Sequence, residues 1–200
     1  MRYDAIVLAG GRATRLGGTA KPGVVVGAAT LLDHALAACT GAERTVVVGP
    51  PDVGPVPSGV TLTREEPAFG GPVAGIAAGL RALDAPHRPA APAHVLLLAV
   101  DVPGAVDATT LLLTAAEHRT PADGVHLVAR GRAQWLTGIY RRGALAGALQ
   151  GLDPHGAPVR RLVAGLDLVE VPDEAGASDD VDTWEDVSRL AARHPKETTS

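Results

Sequence analysis

The chain has 200 residues, a mass of 20.3 kDa, a formal charge of −4 and a pI near 5.9. Its length suits one compact domain with a sizeable core, and because only 2% of the residues are aromatic, that core must consist mainly of Ala, Val and Leu. The acidic balance argues against general binding to nucleic acid or to a membrane surface.

Cysteine content and terminal sequence indicate a cytoplasmic protein. Cys39 is the only cysteine, which excludes an intrachain disulfide, and its apolar helical surroundings are typical of a small core residue. We find no signal peptide and no apolar stretch long enough to span a bilayer. We expect a single domain over residues 1–194, followed by a disordered tail over residues 195–200.

Short apolar segments alternate with helical patterns along the chain. The expected strands are Tyr3–Leu8, 44–48, 60–64, 94–100, 124–130, 135–141 and 166–171. The expected helices are 31–40, 71–83, 108–118, 143–152, 158–166 and 183–193. Thr30 and Asp33 fit a capping box, Pro72 fits a first helical turn, and Asp107 is placed to cap the third helix.

The alternation of strand and helix predicts an α/β fold, Rossmann-like, with a mainly parallel, doubly wound sheet and helices on both faces. The continuously apolar segment 94–100 indicates a strand that is covered on both faces. Such sheets bind ligands at the carboxyl ends of their strands. This rule selects three places: Gly10 with Gly11, the segment 64–66, and Asp101.

The segment YDAIVLAGGRATRLGGTAKP (3–22) is rich in glycine, and no Asp or Glu occurs in residues 5–32. Glycines allow backbone N–H groups to turn toward a ligand. Together with the cations Arg12, Arg15 and Lys21, these groups predict a site for an anion with several charges, such as a triphosphate.

The same loop is neither a Walker A motif nor a G-x-G-x-x-G motif, since Lys21 lies between Ala20 and Pro22. Pro22 disfavours helical backbone at the residue before it, so we expect Lys21 to be extended and to reach inward. The alternative is a solvated glycine-rich turn with surface arginines.

The motif LAGGRATRLGGTAK resembles the opening signature of the nucleotidyltransferases related to the molybdenum cofactor guanylyltransferase. The residues that the resemblance places along the nucleotide are Leu8, Ala9, Gly10 and Gly11. Arg15 and Lys21 would hold its phosphates. The family usually has Asp where this chain has Ala20. GTP-using members tend to have the Leu-Ala-Gly-Gly form found here, whereas CTP-using relatives tend to have Ala-Ala-Gly. The resemblance implies the nucleotide-diphospho-sugar transferase-like form of the α/β fold.

A second match is REEPAFGGPVAGIAAGL (64–80), which resembles the family's Gly-Pro-Leu-Ala-Gly element beside the nucleoside. On this resemblance Gly71 and Pro72 contact the nucleotide. Glu65 or Glu66 would accept hydrogen bonds from a guanine edge or a ribose hydroxyl, and we favour Glu65. The alternative is an ordinary helix start with solvated glutamates.

Acidic residues supply the expected metal ligands. Asp101 follows a buried strand at the edge where ligands bind, and Mg²⁺ prefers one or two carboxylates together with phosphate oxygens. The family has Asp-x-Pro here and its Asp binds the metal; a turn with Pro103 is the alternative.

The segment SDDVDTWEDV (178–187) resembles the family's Asn-x-Asn-Thr-Pro-Glu-Asp element, with Asp180 and Asp182 in place of the two Asn. The resemblance implies a second metal contact from Asp182. A capping box of Thr183 and Asp186 explains much of this acidic run without catalysis.

The family places its acceptor site near the segment GRAQWLTGIYR (131–141). Gln134, Trp135 and Thr137 are therefore candidate acceptor residues, with a core position as the alternative for Trp135.

Together these features predict a Mg²⁺-dependent nucleotidyltransferase that transfers GMP from GTP to a phosphorylated acceptor, molybdopterin, and releases pyrophosphate. Arg15, Lys21 and Asp101 would be its catalytic residues, acting by positioning and charge neutralisation. Two alternatives remain: a sibling enzyme that uses CTP or another phosphorylated acceptor, and a non-catalytic nucleotide-binding regulator. We expect no nucleic-acid or membrane partner, and the sequence makes no prediction of oligomeric state.

Overall fold

The structure is a computed structural model that describes residues 1–10, 20–84, 88, 90–118 and 123–193. Its strands in chain order are β1 (Tyr3–Leu8), β2 (Val25–Val26), β3 (Ala29–Thr30), β4 (Thr45–Val48), β5 (Val60–Thr63), β6 (His94–Ala99), β7 (Gly124–Ala129), β8 (Arg132–Arg141) and β9 (Leu168–Pro172). Its helices are α1 (Leu31–Ala38), α2 (Pro72–Leu83), α3 (Ala105–His118), α4 (Arg142–Leu149), α5 (Val159–Val163) and α6 (Trp184–Ala191), with a 3₁₀ turn at Lys21–Gly23.

A seven-stranded sheet forms the centre, in the order β5-β4-β1-β6-β8-β7-β9. The strands β5, β4, β1 and β6 are parallel, β8 runs antiparallel to both β6 and β7, and β7 and β9 are parallel. The predicted α/β fold with a mainly parallel sheet is confirmed, and β8 supplies its antiparallel pairings.

Two apolar clusters cover the two faces of this sheet, because successive strand residues point to opposite sides. From β1, Ala5 and Val7 join the cluster that contains residues of α1 and α3, while Ile6 and Leu8 join the cluster that contains residues of α2, α4 and α5. Gly79 lets α2 approach the sheet closely, since a Cβ atom there would lie 2.7 Å from Cγ2 of Ile6. Nearer the start of α2, a Cβ atom on Gly75 would lie 3.0 Å from Cδ2 of Leu8, so this part of the helix lies over the end of β1.

Several local predictions are corrected by the structure. The third helix begins at Ala105, so Asp107 lies within its first turn and does not cap it. The β2–β3 hairpin was not predicted, because strands of two residues carry almost no periodic signal. The capping boxes of Thr30 with Asp33 and of Thr183 with Asp186 are both confirmed.

Some expectations concern parts of the chain that the structure does not describe, or properties that it tests only in part. Gly11, Arg12, Arg15 and the tail 195–200 lie outside the described residues.

Cys39 is a free, buried core residue as predicted, and burial raises the pKa of its thiol to about 12. No helix in the described part of the chain has both the length and the apolar character needed to cross a bilayer.

A buried carboxylate, that of Asp4, forms ion pairs near the amino end of the central strand β1. Asp4 in β1 has no exposed surface, and it accepts hydrogen bonds from the guanidinium groups of Arg88 and Arg142. Arg88 precedes β6 and Arg142 follows β8, and the two arginines pair further with Glu43 and Asp84 respectively. Because Asp4 compensates two largely buried cations, its charge is part of the folded structure.

We expect Asp4→Asn to lower the free energy of unfolding by about 3 kcal/mol, because it leaves two buried guanidinium groups without their shared carboxylate. Urea denaturation monitored by circular dichroism measures this loss. The matched control is Glu117→Gln, which removes an exposed carboxylate paired with the amino terminus and should have little effect. Equal stability of wild type and Asp4→Asn would contradict the role assigned to this cluster.

Candidate active site

A cavity of about 580 Å³ opens at the carboxyl ends of β1, β4 and β6. Its wall combines apolar side chains with a few charged ones and with glycine backbone. The residues that line it are Leu8, Gly10, Lys21, Val48, Glu65, Phe69, Gly71, Pro72, Gly75, Ala99, Val100, Asp101 and Leu136. The position agrees with the general rule for open α/β sheets, and the mixed lining suits a ligand with an apolar and an anionic part.

Most of the site residues predicted from sequence meet at this cavity. Those that line it are Leu8, Gly10, Lys21, Glu65, Gly71, Pro72 and Asp101. Ala9 is buried in the core and is not among the lining residues, while Gly11 and Arg15 lie outside the described residues. Three motifs that are distant in sequence are thus adjacent because they follow β1, β5 and β6, which together with β4 form the parallel part of the sheet.

The two glutamates after β5 face different spaces. Glu65 lines the cavity, and its Oε1 atom would lie 3.9 Å from a Cβ atom built on Gly10. Glu66 instead lines a separate surface groove that also contains Arg64 and Arg81. Of the pair, Glu65 is the one that a ligand in the cavity can contact.

The side chain of Lys21 joins the cavity to the carboxyl-terminal part of the chain. Its Nζ atom lies 2.9 Å from Oδ2 of Asp101 and 2.6 Å from Oδ1 of Asp182. Burial lowers the pKa of Lys21, but the two carboxylates outweigh this effect and raise it above the ordinary value. The ammonium group is therefore charged at neutral pH.

The backbone at Lys21 differs from the predicted extended conformation, although the side chain does reach inward. Lys21 begins a 3₁₀ turn, and Ala20 before it is extended. Two hydrogen bonds close the turn, from the N–H of Gly23 to the carbonyl of Ala20 and from the N–H of Val24 to the carbonyl of Lys21. These bonds offset the local steric bias that Pro22 imposes.

Three carboxylates cluster beside Lys21. Asp101, Asp180 and Asp182 can each present one oxygen so that all three oxygens lie within 4.8 Å of one another. Partial desolvation and the charges of Asp101 and Asp182 raise the pKa of Asp180, even though much of its surface is exposed. A group of oxygen ligands at this spacing suits a small divalent cation.

Backbone contacts hold the segment that carries Asp180 and Asp182 against the sheet. The N–H of Val181 donates to the carbonyl of Asp101 over 2.9 Å. The buried carboxylate of Asp173 accepts from the N–H of Ala177 and from both the N–H and the hydroxyl of Ser178, over 2.6 to 2.9 Å. The acidic cluster is therefore positioned by the fold and not by the carboxylates themselves.

Ion pairs on the other side of the same segment add to this support. Asp179 is buried, and both of its oxygens accept from Arg130, over 2.8 and 2.9 Å. Arg189 and Arg193 also donate to it, over 3.2 and 3.3 Å. Asp179 thereby connects the start of the acidic segment to α6 and to the turn after β7.

Phe69 and Leu136 line the cavity but were not predicted as site residues. The predicted acceptor residues Gln134, Trp135 and Thr137 are not among the lining residues: Trp135 packs against the core, and Thr137 is buried. Leu136 follows from no motif, and only its position opposite the end of β6 brings it to the cavity.

The fold and this site define a nucleotidyltransferase. Residues 5–171 match the family of the MobA-like NTP transferase domain, and the chain belongs to that family. The resemblance seen in the sequence motifs is thus confirmed. None of the curated proteins matches the chain by sequence.

Solved structures share the whole fold. Molybdopterin-guanine dinucleotide biosynthesis protein A from Archaeoglobus fulgidus is 19% identical, with a TM-score of 0.69 over 95% of this chain and 97% of that one. 2-C-methyl-D-erythritol 4-phosphate cytidylyltransferase from Thermus thermophilus is also 19% identical, with a TM-score of 0.69 over 97% and 99% of the two chains. Rv0371C from Mycobacterium tuberculosis H37Rv, in a complex with manganese, is 20% identical, with a TM-score of 0.69 over 96% and 98%.

We expect Asp173→Asn to lower the free energy of unfolding by about 2 kcal/mol at pH 7, since it weakens hydrogen bonds to a buried carboxylate. Burial raises the pKa of Asp173, but hydrogen bonds from Ser178, Ala177 and Gly176 hold it below its ordinary value. A lowered pKa stabilises the fold above the unfolded-state pKa of about 3.9, and the contribution is lost as the pH falls below that value.

The difference between wild type and variant should therefore be largest above about pH 5 and should shrink as the pH falls below about 4. Chemical denaturation at several pH values measures it, with the exposed neighbour Glu174→Gln as control. A difference that does not depend on pH would contradict this role of the carboxylate.

Proposed function

We propose that this nucleotidyltransferase transfers GMP from GTP to a phosphorylated acceptor, molybdopterin, with release of pyrophosphate, and that it depends on Mg²⁺. The observation that carries the proposal is the contact of Lys21 with Asp101 and Asp182 at the edge of a cavity large enough for a nucleotide. In this contact, a lysine that could bind phosphate lies beside carboxylates that could bind a metal ion. Both are at the carboxyl ends of the strands, where folds of this class bind ligands.

The nucleoside would occupy the part of the cavity formed by Leu8, Val48, Glu65 and the start of α2 at Pro72. Glu65 would accept hydrogen bonds from the guanine edge or from a ribose hydroxyl. The choice of GTP is supported by the Leu-Ala-Gly-Gly form of the first motif, at residues 8–11, which resembles the GTP-using members of the family.

The triphosphate would lie against the backbone of Gly10 and Gly11, with Lys21 and Arg15 as its cations. Lys21 is charged and lines the cavity. Its ammonium group is therefore in position to stabilise the negative charge that develops on the leaving pyrophosphate. The acceptor phosphate is an anion at neutral pH, so the reaction needs no strong general base. Catalysis then consists of positioning and charge neutralisation.

Asp101 and Asp182 would hold the Mg²⁺ ion, with Asp180 as a third carboxylate at the same place. The donor set fits, because Mg²⁺ takes oxygen ligands and retains positions for phosphate oxygens and water. When bound, the ion neutralises phosphate charge. The manganese complex of the structurally similar mycobacterial protein supports a divalent ion in this fold.

Molybdopterin as the acceptor is supported by membership of the MobA-like family and by the likeness to the Archaeoglobus protein. A sibling activity is the second candidate, because the Thermus cytidylyltransferase has the same fold at equal identity. A non-catalytic regulator is the third, since Ala20 replaces the family's usual Asp before the lysine.

A nucleotide panel and a pyrophosphate assay test the proposal. In thermal-shift measurements with Mg²⁺, GTP should raise the melting temperature more than CTP, ATP or UTP, because a ligand that binds the native state stabilises it. With GTP and molybdopterin, wild type should release pyrophosphate, and Asp101→Asn should be slower by roughly 10²–10³-fold.

The control is Asp107→Asn in the first turn of α3, which should retain wild-type turnover. A larger shift with CTP would favour the sibling enzyme, and nucleotide binding without pyrophosphate release would favour the regulator. Normal turnover by Asp101→Asn would contradict the role of that carboxylate.

A separate prediction concerns Lys21 and the metal before nucleotide binds. Because the Lys21 ammonium contacts Asp101 and Asp182, it competes with a divalent cation for their oxygens. We expect Lys21→Met to bind Mn²⁺ about tenfold more tightly than wild type in the absence of nucleotide, while losing most of its activity.

Isothermal titration with Mn²⁺ alone measures this affinity, and Arg160→Met on the exposed side of α5 is the control for loss of one positive charge. Unchanged or weaker Mn²⁺ binding by Lys21→Met would show that the lysine and the metal do not share these ligands.

A further inference from the structure

Phe69 is an exposed aromatic residue in a chain that has few of them. The sequence contains two Trp, two Tyr and one Phe. Both tyrosines are buried, whereas the single Phe is 68% exposed and lines the cavity. The ring of Phe69 is thus an exposed apolar part of the wall of the ligand cavity.

The backbone of the loop that carries Phe69 is held by hydrogen bonds and has an unusual conformation. Phe69 has a φ angle of 64°, in the left-handed region that bulky residues rarely adopt. Its N–H donates to Oε1 of Glu65 over 3.2 Å. The next residue, Gly70, accepts a hydrogen bond of 2.7 Å from the N–H of Gly156, and a Cβ atom there would lie 2.7 Å from that of Ala74. Contacts on both sides therefore fix the loop that carries Phe69.

We propose that the Phe69 ring stacks on the base of the bound nucleotide and favours a purine over a pyrimidine. This inference rests on the proposed nucleotidyltransferase site and adds a residue that determines its specificity. A phenyl ring offers a flat apolar face and no hydrogen-bonding group, so it binds a planar heterocycle through its area. A purine covers more of that face than a pyrimidine does.

The position of Glu65 indicates the nucleoside as the stacking partner. In the sheet, β4 and β5 lie on one side of β1, while β6 and β8 lie on the other. Asp101, a proposed metal ligand, follows β6, the ammonium of Lys21 contacts it, and Leu136 lies in β8. The backbone N–H of Phe69 donates to Glu65, which follows β5. We therefore assign the ring of Phe69 to the part of the cavity proposed for the nucleoside.

Titration of GTP, CTP and tripolyphosphate in the presence of Mg²⁺ tests the proposal with three variants. Phe69→Asn removes the ring and replaces it with a residue that adopts positive φ more readily, so the loop is retained. Phe69→Trp keeps a flat aromatic face. Val106→Ala trims an exposed apolar side chain on α3 and is the matched control.

We expect Phe69→Asn to bind GTP about tenfold more weakly, which corresponds to about 1.4 kcal/mol, and to bind CTP only about twofold more weakly. Tripolyphosphate carries the charge without a base, so its affinity should be unchanged. Phe69→Trp should bind GTP within about twofold of wild type. Val106→Ala should match wild type with all three ligands.

The remaining outcomes each overturn the inference. If wild type binds no nucleoside triphosphate, the proposed function falls together with it. If wild type binds GTP and Phe69→Asn binds it equally well, the function stands and the stacking does not. Equal weakening of GTP and tripolyphosphate would mean that the loop and not the ring is responsible. A rise confined to the KM for molybdopterin would assign the ring to the acceptor.

Discussion

One ammonium group, that of Lys21, lies between two carboxylates that come from distant parts of the chain. Asp101 follows a central strand, and Asp182 lies just before the last described helix. The contact is possible because the backbone of Val181 is hydrogen-bonded to the carbonyl of Asp101. Lys21, the central sheet and the carboxyl-terminal segment therefore meet at one place, and the chemistry of the site depends on these contacts.

The cavity has a charged edge and a largely apolar wall, and the two parts follow from different features of the fold. Asp101 lies where parallel strands end, and Lys21 reaches it from the 3₁₀ turn. The apolar wall comes from the ends of the strands and from the start of α2, where Gly75 allows the helix to approach Leu8 closely. A ligand with a flat base and a polyphosphate matches both parts, and this is the physical basis for linking the fold to nucleotide transfer.

Elements with a strong periodic or capping signal were predictable from the sequence. The apolar run His94–Ala99, the capping box of Thr30 with Asp33, and the start of α2 at Pro72 are found where the pattern indicates them. The weaker predictions failed for identifiable reasons. Asp107 satisfies the composition of a cap, but α3 starts earlier, at Ala105. Lys21 adopts a 3₁₀ turn because hydrogen bonds to its neighbours outweigh the steric effect of Pro22.

The alternation of strands and helices, the family motifs and the side-chain types at the strand ends could all be read from the sequence, because each depends on a local pattern. Three features became visible in the folded chain alone: Glu65 and not Glu66 lines the cavity, Lys21 contacts Asp182, and Phe69 lines the same cavity. Such contacts depend on strand order and on close helix packing, which join residues far apart in sequence, and no single segment of the chain contains that information.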